Sequence, residues 1–424
     1  MKIKSKLTGI IFLLTIFSML LRFIVIYFPL ANKFLQRSSR PEPAFDALAA
    51  YPYVDADAAD EDGLANTESM ASHAYAVFDE LKGLITEYMG PNSAYFMDFV
   101  IGKRLVDQAM GLDMTASLTA GEEGQDVVAI WRDDYLGYVV HDADNTLLIE
   151  SIVDFGKQMQ KEGRNFLYLV VPSKQTQTIA YLDYSEKLRQ QLLQMLRDQG
   201  LDTIDFMEVI EERQLDMRGL FFKTDHHWLP STGIWADQIL CEFMNDSYGY
   251  RIDTSVFDPE NYDTIIFPDS FLGSQGRKVT TVYCEKEDFP VVMPKYDTDL
   301  EVFISLTNRT YTGSIQDTLF DYESLEAGIS DIYGRDAYNF YGYGNRALIT
   351  THNNDINDGS RVLVIKTSDA NVMVPYLSAV LEDLYVIDLR RFNGSLRTFI
   401  NETAPDTVIV VADAVNLEGF DFLL

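Results

Sequence analysis

The chain has 424 residues, 47% of them hydrophobic, which is enough for one large or two ordinary domains with well-buried cores. Acidic residues outnumber basic ones by 65 to 34, and the net charge of −31 repels phosphate backbones, so a nucleic-acid partner is not expected. The two cysteines, Cys241 and Cys284, lack the spacing of a thiolate metal site or redox motif; we expect buried thiols, with a single disulfide as the alternative.

An apolar run covers residues 7–30, follows three lysines and contains one charge, Arg22. As a helix it is roughly 36 Å long, enough to cross a hydrocarbon core of about 30 Å. No small-x-small cleavage site follows directly, which favours an uncleaved signal anchor over a cleaved signal peptide. Residues 1–36 are therefore predicted to be a cytoplasmic start and an N-terminal transmembrane helix. The protein is expected in the cell membrane, single-pass, with its body outside the cytoplasm.

The next two segments are expected to connect the membrane to the folded body. Residues 37–72 are rich in Pro, Ala, Asp and Glu and poor in large apolar residues, which is typical of a flexible acidic tether. Residues 73–123 contain two stretches with helical spacing of apolar residues and are predicted to be a helical lead-in.

Strand and helix patterns alternate in two separate parts of the folded body, residues 124–424. Between residues 146 and 205, helical spacing alternates with buried-strand runs such as "NFLYLVVPSK". The alternation returns after residue 360, where "RVLVIK", "LYVIDL" and "DTVIVVAD" indicate strands. Residues 249–358 are predicted to be a β-rich insertion. The alternating parts predict one α/β fold, a doubly wound parallel sheet covered by helices.

The segment "KTDHHWLPSTG", Lys223 to Gly233, contains two of the five histidines of the chain. It follows a predicted short strand, Arg218 to Phe222, and precedes a predicted helix, which places it at the rim of the sheet, where sites are commonly built. Three interpretations fit these residues: a metal site, part of a nucleophile-activating triad, or a loop with clustered polar residues. Asp225 and His227 are two residues apart, so both side chains can face one side of an extended loop.

Ser368 is the candidate partner for a triad. It directly follows the predicted buried strand "RVLVIK" and starts a predicted helix, so its hydroxyl is expected at the same rim. The backbone N–H groups of Ser368 and Asp369, aided by the helix dipole, can stabilise an oxyanion. The alternative is an ordinary helix N-cap.

Taken together, "TDHHW" and "IKTSDAN" resemble the bacterial DHHW proteins, which belong with the alginate O-acetylation proteins of the SGNH hydrolase-like superfamily. The resemblance runs from about residue 124 to the end and includes "LVVPSK", "FLGSQGRKV" and "VIDLRRF". It implies an SGNH hydrolase-like fold. It also implies that Asp225 is the orienting acid, His227 the general base and Ser368 the nucleophile, with His226 as a spectator or a substrate contact.

Other positions carry weaker implications. Arg277 and Arg390 match arginines of the family pattern, which implies contacts to an acyl or sugar group; structural salt bridges are the alternative. The family more often has Asp before the serine, whereas this chain has Thr367 there and Asp369 after it. That departure changes the local electrostatics of the nucleophile.

The resemblance implies an O-acetyltransferase or acetylesterase that acts on a cell-envelope or secreted polysaccharide, with no cofactor and no metal. Expected partners are a polysaccharide acceptor, an acetyl donor, a multispanning membrane O-acyltransferase and the bacterial membrane itself through residues 7–30. A non-catalytic polysaccharide-binding or assembly protein is the alternative, because aromatic residues in "YNFYGYGNR" can stack on sugars. A metal-dependent phosphoesterase is a further alternative, but the short acidic cluster at residues 55–60 lies in the predicted tether.

Overall fold

The computed structural model describes residues 114–116, 127–130, 135–139, 143–172, 174, 184–415, 417 and 419–420. The predicted membrane span and tether, and most of the predicted helical lead-in, lie outside these residues. The described end of the lead-in, Met114–Ala116, is a strand. Within the described part of the chain, no helix has both the length and the apolar character needed to cross a membrane.

Thirteen strands are found in the described residues: β1 Met114–Ala116, β2 Val127–Ile130, β3 Leu136–Val139, β4 Asn165–Val170, β5 Asp202–Asp205, β6 Tyr262–Phe271, β7 Glu287–Pro294, β8 Leu300–Ile304, β9 Arg309–Gly313, β10 Leu348–Asn353, β11 Arg361–Lys366, β12 Asp383–Ile387 and β13 Thr407–Ala412. The α-helices are α1 Thr146–Lys161, α2 Ser185–Asp198, α3 Phe206–Glu212, α4 Pro230–Tyr248, α5 Ser274–Val279, α6 Ile315–Thr318, α7 Tyr322–Ser330, α8 Val374–Leu377 and α9 Leu396–Thr403.

Eight strands form the main sheet in the order β5-β4-β13-β11-β12-β10-β8-β9. The first five are parallel, as the alternating pattern predicts, and the last three are antiparallel. Those three come from residues 249–358, so the predicted insertion extends the main sheet. Its remaining strands, β6 and β7, pair only with each other, and β1, β2 and β3 form a small separate sheet. The α/β class is confirmed, with a mixed sheet.

Buried side chains on both faces of the sheet hold it between helices. Phe166 and Tyr168 of β4 pack in one apolar cluster with α1 and α2, whereas Leu167 and Leu169 pack in another cluster with α4. This follows from the alternation of side chains along a strand. Cys241 and Cys284 are buried free thiols, which confirms the predicted state.

One buried carboxyl on α4 is not balanced by any partner. Asp237 is fully buried, neither of its side-chain oxygens accepts a hydrogen bond from the described residues, and burial raises its pKa well above its usual value. The folded-state pKa exceeds the unfolded-state pKa, so this residue's contribution is present below about pH 4 and is lost as the pH rises towards the folded-state pKa.

We therefore expect the free energy of unfolding of the wild type to fall relative to that of Asp237→Asn between pH 4 and pH 8. The difference in free energy of unfolding between the two proteins should change in that direction, because burial raises the pKa of Asp237 well above its usual value. Urea unfolding at both pH values measures it. Asp246→Asn, on the exposed side of the same helix, is the matched control. Parallel pH dependences of wild type and Asp237→Asn would show that this carboxyl does not titrate on unfolding.

Candidate active site

The motif at residues 223–228 forms a tight loop at the carboxyl edge of the main sheet. An isolated antiparallel bridge joins Phe221 to Trp228, and the Phe222 N–H donates to the His227 carbonyl at 3.2 Å. The predicted strand at residues 218–222 is reduced to that bridge, because the chain turns back on itself and a 3-10 helix, Met217–Gly219, takes the preceding residues.

Asp225 is fully buried and accepts three hydrogen bonds. Its Oδ1 accepts from the backbone N–H of His227 at 2.9 Å and from the His227 ring Nδ1 at 2.5 Å, and its Oδ2 accepts from the Ser274 N–H at 2.5 Å. Burial alone would raise the pKa of Asp225, but the adjacent histidines and these hydrogen bonds hold it well below its usual range. The carboxylate is therefore an ionised acceptor that orients the imidazole.

Gly273 makes room for this carboxylate. A Cβ at residue 273 would lie 2.2 Å from the Cβ of Asp225, closer than any real contact. Gly273 thus allows the two backbone segments to approach closely, and this approach directs the Ser274 N–H at Asp225.

His227 is in the arrangement of a general base. Its Nδ1 is bonded to Asp225, and its ring stacks on Tyr338 with centroids 4.0 Å apart. Its Nε2 is buried and has no hydrogen-bond partner in the described part of the chain. Burial lowers the pKa of His227, but the Asp225 charge and hydrogen bond outweigh burial and raise it above its usual value. A neutral imidazole that donates through Nδ1 carries its lone pair on Nε2, the atom that accepts a proton in a triad.

One hydrogen bond joins this loop to the turn that carries Ser368, and a second comes from Tyr338, whose ring stacks on His227. Trp228 Nε1 donates to the Asp369 carbonyl at 2.6 Å, and the Tyr338 hydroxyl donates to the same carbonyl at 3.5 Å. Gly233, at the start of α4, packs so closely on Val372 that a Cβ there would lie 2.4 Å from it. The structure therefore brings the two predicted halves of the site together.

Ser368 is the first residue of a 3-10 helix, Ser368–Val372, directly after β11 and Thr367. The long helix predicted after it is instead this turn followed by the single-turn α8, so a helix dipole contributes little here. Ser368 is half-buried, and no hydrogen bond joins its Oγ to His227 Nε2 within the described residues. Catalytic hydrogen bonds often form only when substrate is bound.

Asn371 and Lys366 complete the Ser368 turn. Residues i and i+3 of a 3-10 helix lie on one face, so Asn371 shares the side of Ser368. The ammonium of Lys366 donates to Asn371 Oδ1 at 2.5 Å and to Asn345 Oδ1 at 3.2 Å. Burial lowers the pKa of Lys366 to about 8. Because the Asn371 oxygen is occupied by the lysine, its Nδ2–H₂ is left as the donor.

Lys174 fixes the loop from the other side. Its ammonium is buried after β4 and donates to the carbonyls of Phe222, Lys223 and Asp225 at 2.7, 2.8 and 2.6 Å, and to Gln275 Oε1 at 3.0 Å. Burial lowers its pKa to about 7, although nearby carboxylates oppose the shift. Sequence reasoning left Lys174 out of the site, and only its position at a strand end pointed to it.

His226 lies beside the Asp225–His227 hydrogen bond, with its Nδ1 3.4 Å from Asp225 Oδ1 and its ring centroid 3.8 Å from that of His227. Its Nδ1 shares a hydrogen bond of 2.8 Å with Ser274 Oγ, and burial with the His227 charge lowers its pKa to about 4. Donor atoms of Asp225, His226 and His227 lie within 4.8 Å of one another, as a metal site requires. However, both oxygens of Asp225 already accept N–H bonds, which leaves the carboxylate poorly placed to bind a metal.

The two arginines predicted from the family pattern form ion pairs. Arg277 Nη2 lies 2.8 Å from Asp336 Oδ2, and Arg390 donates to both oxygens of Asp388 at 2.9 and 2.7 Å. These are the structural salt bridges named above as the alternative. Tyr338 and Tyr341 of the aromatic insertion are likewise buried in the core and present no face to a sugar.

Residues 133–253 match the family model described as an SGNH hydrolase-like domain, acetyltransferase AlgX. Over these residues the chain is similar to an SGNH hydrolase-like acetyltransferase domain, and the α/β sheet agrees with that likeness. More particularly, it resembles the DHHW and AlgX-type proteins, which confirms the relationship predicted from the two motifs. No curated protein sequence matches the chain.

Two solved structures share the fold at low identity, and a third superposes less well. PatB1 from Bacillus cereus superposes with a TM-score of 0.55 at 18% identity over 70% of this chain and 98% of PatB1. A DHHW family protein from Eubacterium siraeum gives 0.54 at 16% identity over 72% of this chain and 98% of that protein. The O-acetyltransferase domain of Pseudomonas putida AlgJ gives 0.41 at 15% identity over 68% and 92%.

Proposed function

We propose that the protein is an exported serine-dependent O-acetyltransferase or acetylesterase of a cell-envelope or secreted polysaccharide. The main support is the buried Asp225–His227 pair, whose Nε2 is unoccupied within the described residues and whose loop is bonded to the Ser368 turn through Trp228. The match of residues 133–253 to the AlgX-type acetyltransferase domain supports the choice of acetyl groups, and the polysaccharide acceptor follows from the family resemblance of the two motifs.

In the proposed reaction, His227 Nε2 takes the proton of Ser368 as Oγ attacks the acetyl carbonyl. The oxyanion accepts hydrogen bonds from the Asp369 N–H and from Asn371 Nδ2, which Lys366 orients. Collapse of the tetrahedral intermediate passes the proton from His227 to the leaving donor and leaves acetyl-Ser368. A sugar hydroxyl or water then gives its proton to His227 and takes the acetyl group, which restores the serine.

The membrane parts of the proposal concern residues 1–72. Residues 7–30 would anchor the chain in the bacterial membrane, and residues 37–72 would connect the anchor to the folded body. A multispanning membrane O-acyltransferase would deliver the acetyl donor to the outer side. This arrangement places Ser368 where an exported polysaccharide is accessible.

A sulfonyl fluoride should label Ser368 and no other serine of the chain. Bacillus cereus PatB1 has been solved with a sulfonyl adduct, and an activated serine beside a general base attacks sulfur as it attacks carbonyl carbon. Peptide mass spectrometry of the treated chain locates the adduct. His227→Ala should abolish labelling, whereas Ser274→Ala should still be labelled at Ser368. An adduct on Ser274, or none at all, would remove Ser368 from the nucleophile role.

A non-catalytic polysaccharide-binding or assembly role is the second candidate. It is favoured by one observation, that Ser368 Oγ and His227 Nε2 share no hydrogen bond in the described structure. This role predicts oligosaccharide binding without any acetyl-serine intermediate, so the labelling experiment separates the two.

A further inference from the structure

A group of basic side chains, which we call the basic cluster, lies beyond the Ser368 turn. It consists of Arg346, Arg390, Arg391 and the buried Lys366: Arg346 and Lys366 both contact Asn345, the charges of Arg346 and Arg390 act on Lys366, and that of Arg391 acts on Arg346. Lys366 and Asp388 follow the paired residues Ile365 and Ile387 of β11 and β12, so the segments carrying Ser368 and Arg390 leave neighbouring strands side by side. Neighbouring strands are about 5 Å apart, which places the cluster within reach of a group bound at Ser368.

In the part of the chain that the structure describes, Arg346 and Arg391 form no ion pair with a carboxylate. The guanidinium of Arg391 is exposed and makes no hydrogen bond or ion pair within the described residues. Arg346 donates only to the Asn345 carbonyl, at 3.4 Å, and its Nε is buried without a partner there. By contrast, Arg390 is held by both oxygens of Asp388.

The nearby carboxylate of Asp321 does not neutralise the basic cluster. Asp321 acts on Arg346, but its two oxygens accept from the backbone N–H and hydroxyl of Ser324 at 3.1 and 2.7 Å. Burial lowers the pKa of Arg346, and the charge of Arg391 lowers it further. In a chain with 65 acidic and 34 basic residues, two neighbouring arginines without carboxylates indicate that an anion comes from outside.

We propose that the basic cluster binds an anionic substituent, a carboxylate or a phosphate, of the polysaccharide acceptor while a hydroxyl of the same polymer lies at Ser368. The inference rests on the proposed function and adds the class of acceptor. Arg391 is exposed, so a long polymer can reach it along an open surface, and guanidinium groups bind carboxylate and phosphate through paired N–H donors. The net charge of −31 repels such polymers overall, so a local basic site would favour their binding at this position.

Binding is measured first without catalysis, by calorimetry on the 424-residue Ser368→Ala chain in detergent. The probes are a galacturonate tetramer, a glycerol-phosphate oligomer and a neutral N-acetylglucosamine tetramer. We expect at least one anionic probe to bind about tenfold more tightly than the neutral one, and Arg346→Gln or Arg391→Gln to remove that preference. Arg309→Gln, an exposed arginine on β9, should leave every Kd within about twofold. Equal binding of charged and neutral probes, or a preference that survives both substitutions, overturns the site.

The rate of acetyl transfer then shows whether the basic cluster binds the acceptor or the acetyl donor. With Ser368 intact, the two variants should slow the passage of the acetyl group from acetyl-Ser368 to the anionic acceptor through a higher KM, with kcat changed less. If they instead slow formation of acetyl-Ser368, the cluster serves the donor and the acceptor assignment is wrong. If no acetyl-Ser368 forms but the binding preference and its loss are observed, the proposed chemistry fails while the anion site stands.

Discussion

Ser368→Ala and His227→Ala should each lower acetyl release from an activated acetyl ester by at least about 10³-fold. Ser368→Ala removes the proposed nucleophilic oxygen, and His227→Ala removes the ring nitrogen proposed to take its proton. Their double variant should lose no more than either single one, because the two side chains act in the same step. The measurement is initial rate with the 424-residue chain in detergent, with p-nitrophenyl acetate as substrate.

The matched control is a second His–Asp pair. His352 Nδ1 lies 2.8 Å from Asp383 Oδ1 at the opposite edge of the sheet, and both side chains are partly exposed. His352→Ala should keep the rate within about twofold, because that pair has no role at the site. Wild-type activity should also fall as the pH drops through the raised pKa of His227, since the base must be neutral to accept a proton. Equal rates in wild type and both site variants would rule out the triad.

The parts of the site that sequence predicted are those set by short-range rules. Asp225 and His227 are two residues apart, and the carboxylate bonds both the backbone and the ring of the histidine, as a loop of that spacing allows. Ser368 follows Thr367 at the end of a strand whose residues are almost all buried, and parallel strands end at one edge. These features depend on local pattern and on the class of fold.

The missed parts depend on contacts between distant residues. Lys174 contacts residues 48, 49, 51 and 101 positions further along the chain, and nothing in "LVVPSK" marks its ammonium as buried. The strands β8, β9 and β10 have ordinary strand patterns. However, β10 pairs with β12, β8 with β10, and β9 with β8, and these pairings depend on tertiary contacts that periodicity does not encode. The helix expected after Ser368 is shortened to a 3-10 turn and one α-turn that starts at Val374 with Pro375.

Lys174→Met should lower kcat for the activated ester by about 10²-fold and the free energy of unfolding by about 2–4 kcal/mol. Methionine fills similar space but leaves three carbonyls and the Gln275 oxygen without their donor, so the loop that carries Asp225 loses its fixed position. KM should change less than kcat, because the lysine positions the base and does not touch the ester. Lys286→Met, an exposed lysine close to the same loop, is the control and should resemble wild type.

The pH profile distinguishes positioning from a general loss of stability. The pKa of Lys174 is lowered to about 7, so the wild type should lose activity above that pH as the ammonium becomes an amine with one fewer hydrogen to donate. Activity should rise with pH as His227 loses its proton and fall as Lys174 loses its own, so the plot of activity against pH should be a narrow bell near neutrality. In Lys174→Met the descending side near pH 7 should be lost and any remaining decline should lie nearer pH 8, where Lys366 titrates, while the ascending side persists. A variant that keeps the descending side near pH 7 would show that another group causes it, and Lys174 would then be structural only.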